Sequence, residues 1–142
     1  MTQNHPNYPT KEEILENLYV PTDKEKEAVI QWKKEYYKGL WGKMSSKEKG
    51  YGLKILIHRL CNAQGRVHPL WAEGSVWSYS EKKVITYSLE KMSIVSALHE
   101  LGHHLYRASE LEACRYSIGI FSVCFPRAYA RLDWEGHLLV KR

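Results

Sequence analysis

The sequence predicts a single α+β domain, several helices with a small β-hairpin or sheet, and three observations lead there. Apolar residues recur every three to four positions through most of residues 22–60 and again from about residue 89, the period of helices that bury one face. Between these stretches lie SVWSY and VITYS, short runs rich in β-branched and aromatic residues separated by the polar SEKK. The chain has 142 residues, about one ordinary domain, with no internal repeat, low-complexity tract or long linker.

The elements follow in order. Residues 1–10, rich in Asn and Pro, read as a loose tail, and KEEILENLYV is a short helix ended by Pro21. Thr22 and Glu25 then form a capping-box pattern, and Val29, Trp32, Tyr36 and Leu40 make one apolar stripe, so a helix is expected to about Met44. Ser45 with Glu48 offers a second capping box, and Leu53, Leu56, Ile57 and Leu60 carry that helix until NAQG breaks it. SVWSY and VITYS then form a β-hairpin. Leu89 to Tyr106 returns to a helical period, and Ser109 starts a further helix with Leu111, Cys114, Ile118 and Phe121 on its buried face, ending near Cys124 before Pro126. The segment RAYARLDWEGHLLVKR fits a short helix followed by a strand.

Composition narrows the function classes. Ten tyrosines, five tryptophans and a hydrophobic content of 44% argue against a disordered chain. Cys61, Cys114 and Cys124 are widely spaced and contain no CxxC pair, which reads as free thiols rather than a thiolate zinc site or a redox motif. MTQNHPNYPTKEEI lacks the apolar run of a signal peptide and no membrane-length apolar stretch follows, so a cytoplasmic protein without a membrane partner is expected. The net charge of +5 would suit nucleic acid, yet the lysines are interleaved with glutamates as in PTDKEKEAVIQWKKEYYKGL, the pattern of solvated helix faces, and no nucleic-acid reading motif accompanies them.

One stretch carries chemistry. IVSALHELGHHLYRASELEACRYS sets three histidines and three glutamates within an otherwise apolar helical period. His99, Glu100 and His103 spell HExxH, which on a helix puts both imidazoles on one face, about 6 Å apart along the axis, where they can share one ion. Glu100 then lies beside the open position of a catalytic zinc, as a base and not a ligand. The flanking Ala97, Leu98, Leu101, Gly102 and Leu105 are uncharged, as a helix beneath a cleft requires. Gly102 costs about 1 kcal/mol relative to Ala in a helix interior, so another backbone is expected to pass close to it.

A catalytic zinc commonly takes a third protein ligand, and His104, Glu110, Glu112 and His137 follow downstream. His104 points about 100° around the helix from His103, which suggests a supporting or surface role. On an unbroken helix Glu112 would lie about 13.5 Å from His103 along the axis, so YRAS must turn, with Ser109 capping a helix that folds back. Glu110 and Glu112 both qualify by charge, while Ser109-x-x-Glu112 equally matches a capping box.

VITYSLEKMSIVSALHELGHHL followed by ELEACRYSIGIF resembles the ImmA/IrrE family of small bacterial and phage zinc metallopeptidases, in which a strand precedes HELGH and the next helix opens with a pattern like E-x-E-A-N-x-F-A. The resemblance covers Gly74 to about Phe125. It implies a small zincin-like, gluzincin-type fold, Zn2+ held by His99 and His103, Glu100 as general base, and Glu112 as third ligand. This sequence has Cys114 where the family carries Asn, and Tyr116 and Ser117 where it carries Phe-Ala. The expected function is zinc-dependent hydrolysis of a peptide bond in a protein or peptide substrate. Members of that family cut or antagonise helix-turn-helix repressors, which brings in a transcriptional regulator as partner. Main-chain pairing along the edge of a sheet would hold an extended substrate, with VITYS as the expected edge. The alternatives are a zinc-stabilised, non-catalytic binding module, against which a retained Glu100 argues, and a DNA-associated SprT-like protease, against which the lack of paired cysteines argues.

Overall fold

Local capping signals set most of the helix starts. In the computed structural model, which describes residues 8–107 and 109–141, α1 (Lys11–Glu16), α2 (Asp23–Trp32) and α3 (Ser46–Ala63) each begin with a reciprocal capping box, from Thr10 with Glu13, Thr22 with Glu25 and Ser45 with Glu48. Residues 1–7 of the expected tail lie outside the described residues. Residues 8–10 are held: Tyr8 stacks on His137 with ring centroids 4.5 Å apart, Pro9 is buried, and Thr10 caps α1.

The second helix is shorter than its apolar stripe implies. α2 stops at Trp32 and the chain widens into a π turn over Lys33–Tyr37, where the N–H of Lys38 reaches the carbonyl of Lys33 at 2.9 Å. The wider turn lets Tyr36 and Tyr37 both pack around Trp32, together with Trp41 and Phe125. The Lys33 ammonium donates to the carbonyl of Cys124 at 2.7 Å and sits over the Phe125 ring, tying this turn to the end of a distant helix.

Three strands follow, β1 (Leu70–Gly74), β2 (Ser78–Ser80) and β3 (Val84–Ser88), in the spatial order β1-β3-β2. The expected hairpin is β2 with β3, paired antiparallel from Ser78↔Thr86 to Ser80↔Val84. β1 was not foreseen; it pairs parallel to β3, with Leu70 opposite Val84 and Gly74 opposite Ser88. VITYS is therefore the central strand rather than an edge, because a neighbour occupies each side of it. Trp71, Ile85 and Tyr79 lie side by side across the register, and on this inner face Trp71 donates to His58 Nε2 at 2.9 Å while Ile85 is fully buried.

The helix α4 (Ile94–Tyr106), capped by Ser93, runs beneath the sheet, and α5 (Glu110–Cys124), capped by Ser109, folds back along it. Arg107 is left-handed, with φ 50°, and its N–H closes α4 on the carbonyl of His103 at 2.8 Å; Ala108, within the expected YRAS turn, lies outside the described residues. A short α6 (Pro126–Ala130) leads into an antiparallel hairpin of β4 (Leu132–Glu135) and β5 (Leu138–Lys141), more than the single strand expected. Its two-residue loop opens on Gly136 at φ 64°, a left-handed conformation that favours glycine, and holds His137 at the tip. The architecture is α+β, with a small sheet beside the HExxH helix, and no described helix is long and apolar enough to cross a membrane.

The main core gathers Trp32, Leu53, Leu56, Leu60, Leu98, Leu101, Ile120 and Phe121, drawn from α2, α3, α4 and α5. Buried among these helices is Glu25, whose carboxylate accepts from Tyr19 at 2.6 Å, Tyr116 at 3.1 Å and Gln64 at 3.0 Å. Burial, reinforced by the Glu25 hydrogen bond, pushes the Tyr19 phenol well above its ordinary range, so it remains a donor.

The tightest contact joins α4 to α5. A Cβ on Gly102 would lie 2.9 Å from Cα and 3.0 Å from the carbonyl oxygen of Ala113, so the expected close backbone is that of α5. Gly102→Val is expected to destabilise the fold by about 1–3 kcal/mol through overpacking, read as a lower denaturant midpoint at unchanged slope.

Candidate metal centre

α4 and α5 present their facing sides to one cleft. His99 and His103, one helical turn apart, stand edge to face with ring centroids 4.8 Å apart. Glu110, at the first turn of α5, reaches across: its carboxylate oxygens lie 3.1 Å from His99 Nε2 and 2.9 Å from His103 Nε2. These two imidazole nitrogens and one carboxylate oxygen all fall within 4.8 Å of one another.

That set fits a divalent ion. A tetrahedral centre with bonds of about 2.0–2.2 Å holds its ligand atoms about 3.3–3.6 Å apart, so each Nε2–oxygen distance found here would open slightly to admit the ion. Without an ion the two Nε2–H groups donate to Glu110. These bonds, His103 first and His99 second, hold its carboxyl well below the usual carboxylate range against the opposing effect of burial.

The third member of the cluster is Glu110, not the expected Glu112. The side of α5 that meets α4 carries Glu110, Ala113, Cys114 and Ser117, spaced as i, i+3, i+4 and i+7. Glu112 falls two residues past Glu110, about 200° around the helix, and is exposed beside Tyr19 and Arg115. Its backbone N–H is capped by the Ser109 hydroxyl at 3.4 Å. The sequence signal for Glu110 was its phase with Ala113, since Gly102 had already announced a close neighbour.

Glu100 is 6% exposed and adjoins the cluster without belonging to it. Burial raises its carboxyl pKa, while His99 and His103 oppose that rise. Cys114 Sγ lies 3.8 Å from His99 Nδ1: with Nε2–H given to Glu110, Nδ1 faces the thiol as an acceptor, whereas an ion on Nε2 would leave the ring proton on Nδ1, directed at sulfur. Burial pushes the Cys114 thiol up to about 12, which keeps it a neutral thiol and not a thiolate ligand.

His104 is buried rather than on the surface. A backbone carbonyl only accepts, so Nε2 donates to Val67 at 2.8 Å and Nδ1 accepts from the Tyr79 hydroxyl at 2.9 Å. It fastens β2 and the chain before β1 to the helix that carries the cluster. His137, a candidate ligand in the sequence, stands outside the cluster and lines the neighbouring cavity with His99 and Glu100. Burial lowers its pKa, and Glu110 opposes that shift. Tyr87 packs under Lys54, and Tyr106 accepts from Gln64 at 3.3 Å; both serve packing.

The assignment of Glu110 is directly testable. Glu110→Gln is expected to lower zinc affinity by more than the roughly 10–100-fold typical of losing an outer-shell partner, whereas Glu112→Gln leaves it unchanged; competition with a chromophoric chelator reads both.

Compared with protein families, with curated proteins and with solved structures, the chain finds no match.

Proposed function

We propose that the protein is a zinc-dependent peptidase that hydrolyses a peptide bond in a protein or peptide substrate. The observation that carries this reading is a buried carboxylate, Glu100, set beside a His99, His103, Glu110 cluster that opens onto a cleft. Two imidazoles and one carboxylate are a donor set suited to zinc and leave a position for water, whereas a purely structural site would have no use for an adjacent base.

When bound, the metal supplies Lewis-acid polarisation of a carbonyl and acidifies water. The chain's own residues do the rest. Glu100 takes a proton from water as the oxygen adds to the carbonyl carbon, and passes it to the nitrogen as the C–N bond breaks, so that the amine departs neutral. Burial favours this role, because the raised pKa lets one carboxyl first accept and then return a proton. Cys114 meets His99 at Nδ1, and the Nε2 atoms of both imidazoles converge on Glu110, so all three side chains address one position. The HELGH resemblance points the same way.

The substrate would lie along β2. Among the described residues that strand pairs with β3 on one side only, and Tyr79 anchors it to His104, one residue from His103. An extended peptide added to the outer side of β2 would pass over the cluster, the docking first assigned to VITYS. A transcriptional regulator remains the proposed kind of substrate.

The decisive comparison is zinc-reconstituted wild type against Glu100→Gln, incubated with a diverse peptide mixture and read by mass spectrometry. Glu100→Gln is expected to keep one zinc per chain and to lose about 10²–10⁴-fold in cleavage rate. Cleavage undiminished in that variant, or a wild type that takes up no zinc, would overturn the reading.

A further inference from the structure

Beside the cluster the structure holds a cavity of about 230 Å³, and its walls are informative. Trp77 closes one side, Val95 and Ser96 come from the first turns of α4, Ile118 from α5, and Leu138 and Leu139 from β5. His99 and Glu100 are part of its wall, so the cavity adjoins the cluster and the proposed base. Among the described residues no lysine, arginine or aspartate lines it; its one carboxylate is the buried Glu100, and its other titratable groups are His99, His137 and the Cys114 thiol. On the opposite flank of His103, the surface hollow is instead lined by Tyr79, Glu81 and Arg107.

The volume decides what this cavity takes. Sites for whole small molecules run about 300–1,000 Å³, so 230 Å³ suits one side chain. We propose that it is a specificity pocket receiving a single uncharged side chain of leucine to phenylalanine size from the residue next to the scissile bond. The substrate class is thereby narrowed to extended segments with an apolar residue at the cleavage point, the charged flank at Tyr79, Glu81 and Arg107 meeting the other side. This rests on the peptidase reading for the word scissile; the pocket itself is testable by binding alone.

The test uses the zinc-loaded full chain and three zinc-chelating probes: acetohydroxamic acid, 4-methylpentanohydroxamic acid, which adds a branched aliphatic arm, and a glutaric acid monohydroxamate with a charged arm of similar length. Calorimetry is expected to give the aliphatic probe about tenfold or more tighter binding than acetohydroxamic acid, and the charged probe no gain. Leu138→Glu, at a half-exposed position, and Val95→Phe, which fills the cavity, should each cut the aliphatic advantage to under about threefold. Equal binding of the aliphatic and acetyl probes in wild type, or an advantage that survives both variants, overturns the pocket. Failure of every hydroxamate to bind zinc-loaded protein overturns the open-metal reading and the pocket together, whereas apolar selectivity with no peptide cleavage leaves the pocket standing and removes the peptidase.

Discussion

The close crossing of α4 and α5 is the constraint on which the site depends. With no side chain at Gly102, the backbone of Ala113 approaches to a distance that a Cβ would forbid. The same approach brings Glu110 to both histidines, Cys114 to the back of His99 and Ser117 into the cavity wall, because these residues share one side of α5. The turn between the helices makes this possible. Arg107 adopts a left-handed conformation usually left to glycine, and Ser109 restarts the helix at once, so a carboxylate seven residues beyond His103 returns to it.

The frame around the cluster is built from polar groups that are buried and satisfied. Glu25 is held by two phenols and an amide, and it links the segment before α2 with α3 and α5. His104 is held between a hydroxyl and a carbonyl, and it links α4 to the sheet. Such groups are costly to bury without partners and, once satisfied, specify one arrangement of the elements they join. The contrast with Glu100 is instructive: it too is buried, but beside a cleft and a group of metal-capable donors, and it is there that the proposed mechanism uses its raised pKa for proton transfer.

Much of this was readable where the signal is local. The caps at Thr22, Ser45 and Ser109 marked helix starts because the bonds they make span three residues. His99, Glu100 and His103 were readable for the same reason, since one helical turn fixes their relation. The stripe from Val29 to Leu40 misled: Trp32, Tyr36, Tyr37 and Trp41 do cluster, but across a π turn that shifts the helical phase. β1 escaped notice because its pairing with β3 is parallel and reaches over an intervening strand, and Leu70–Gly74 is largely exposed, with little apolar alternation to read.

The sequence by itself determined that two imidazoles and a carboxylate would share a helix face, that the chain must reverse after Tyr106, and that a glutamate downstream could complete the group. It did not select the glutamate. That choice depends on the rotation of α5 about its axis, which is set when Ala113 seats against Gly102 and Cys114 against His99, contacts between residues distant along the chain. Tertiary packing also made VITYS a central strand, left β2 as the edge beside the cluster, and brought His137 and Leu138 from the C-terminal hairpin to the cavity. Periodicity along a chain reports which residues share a face; only the meeting of two faces decides which of them touch.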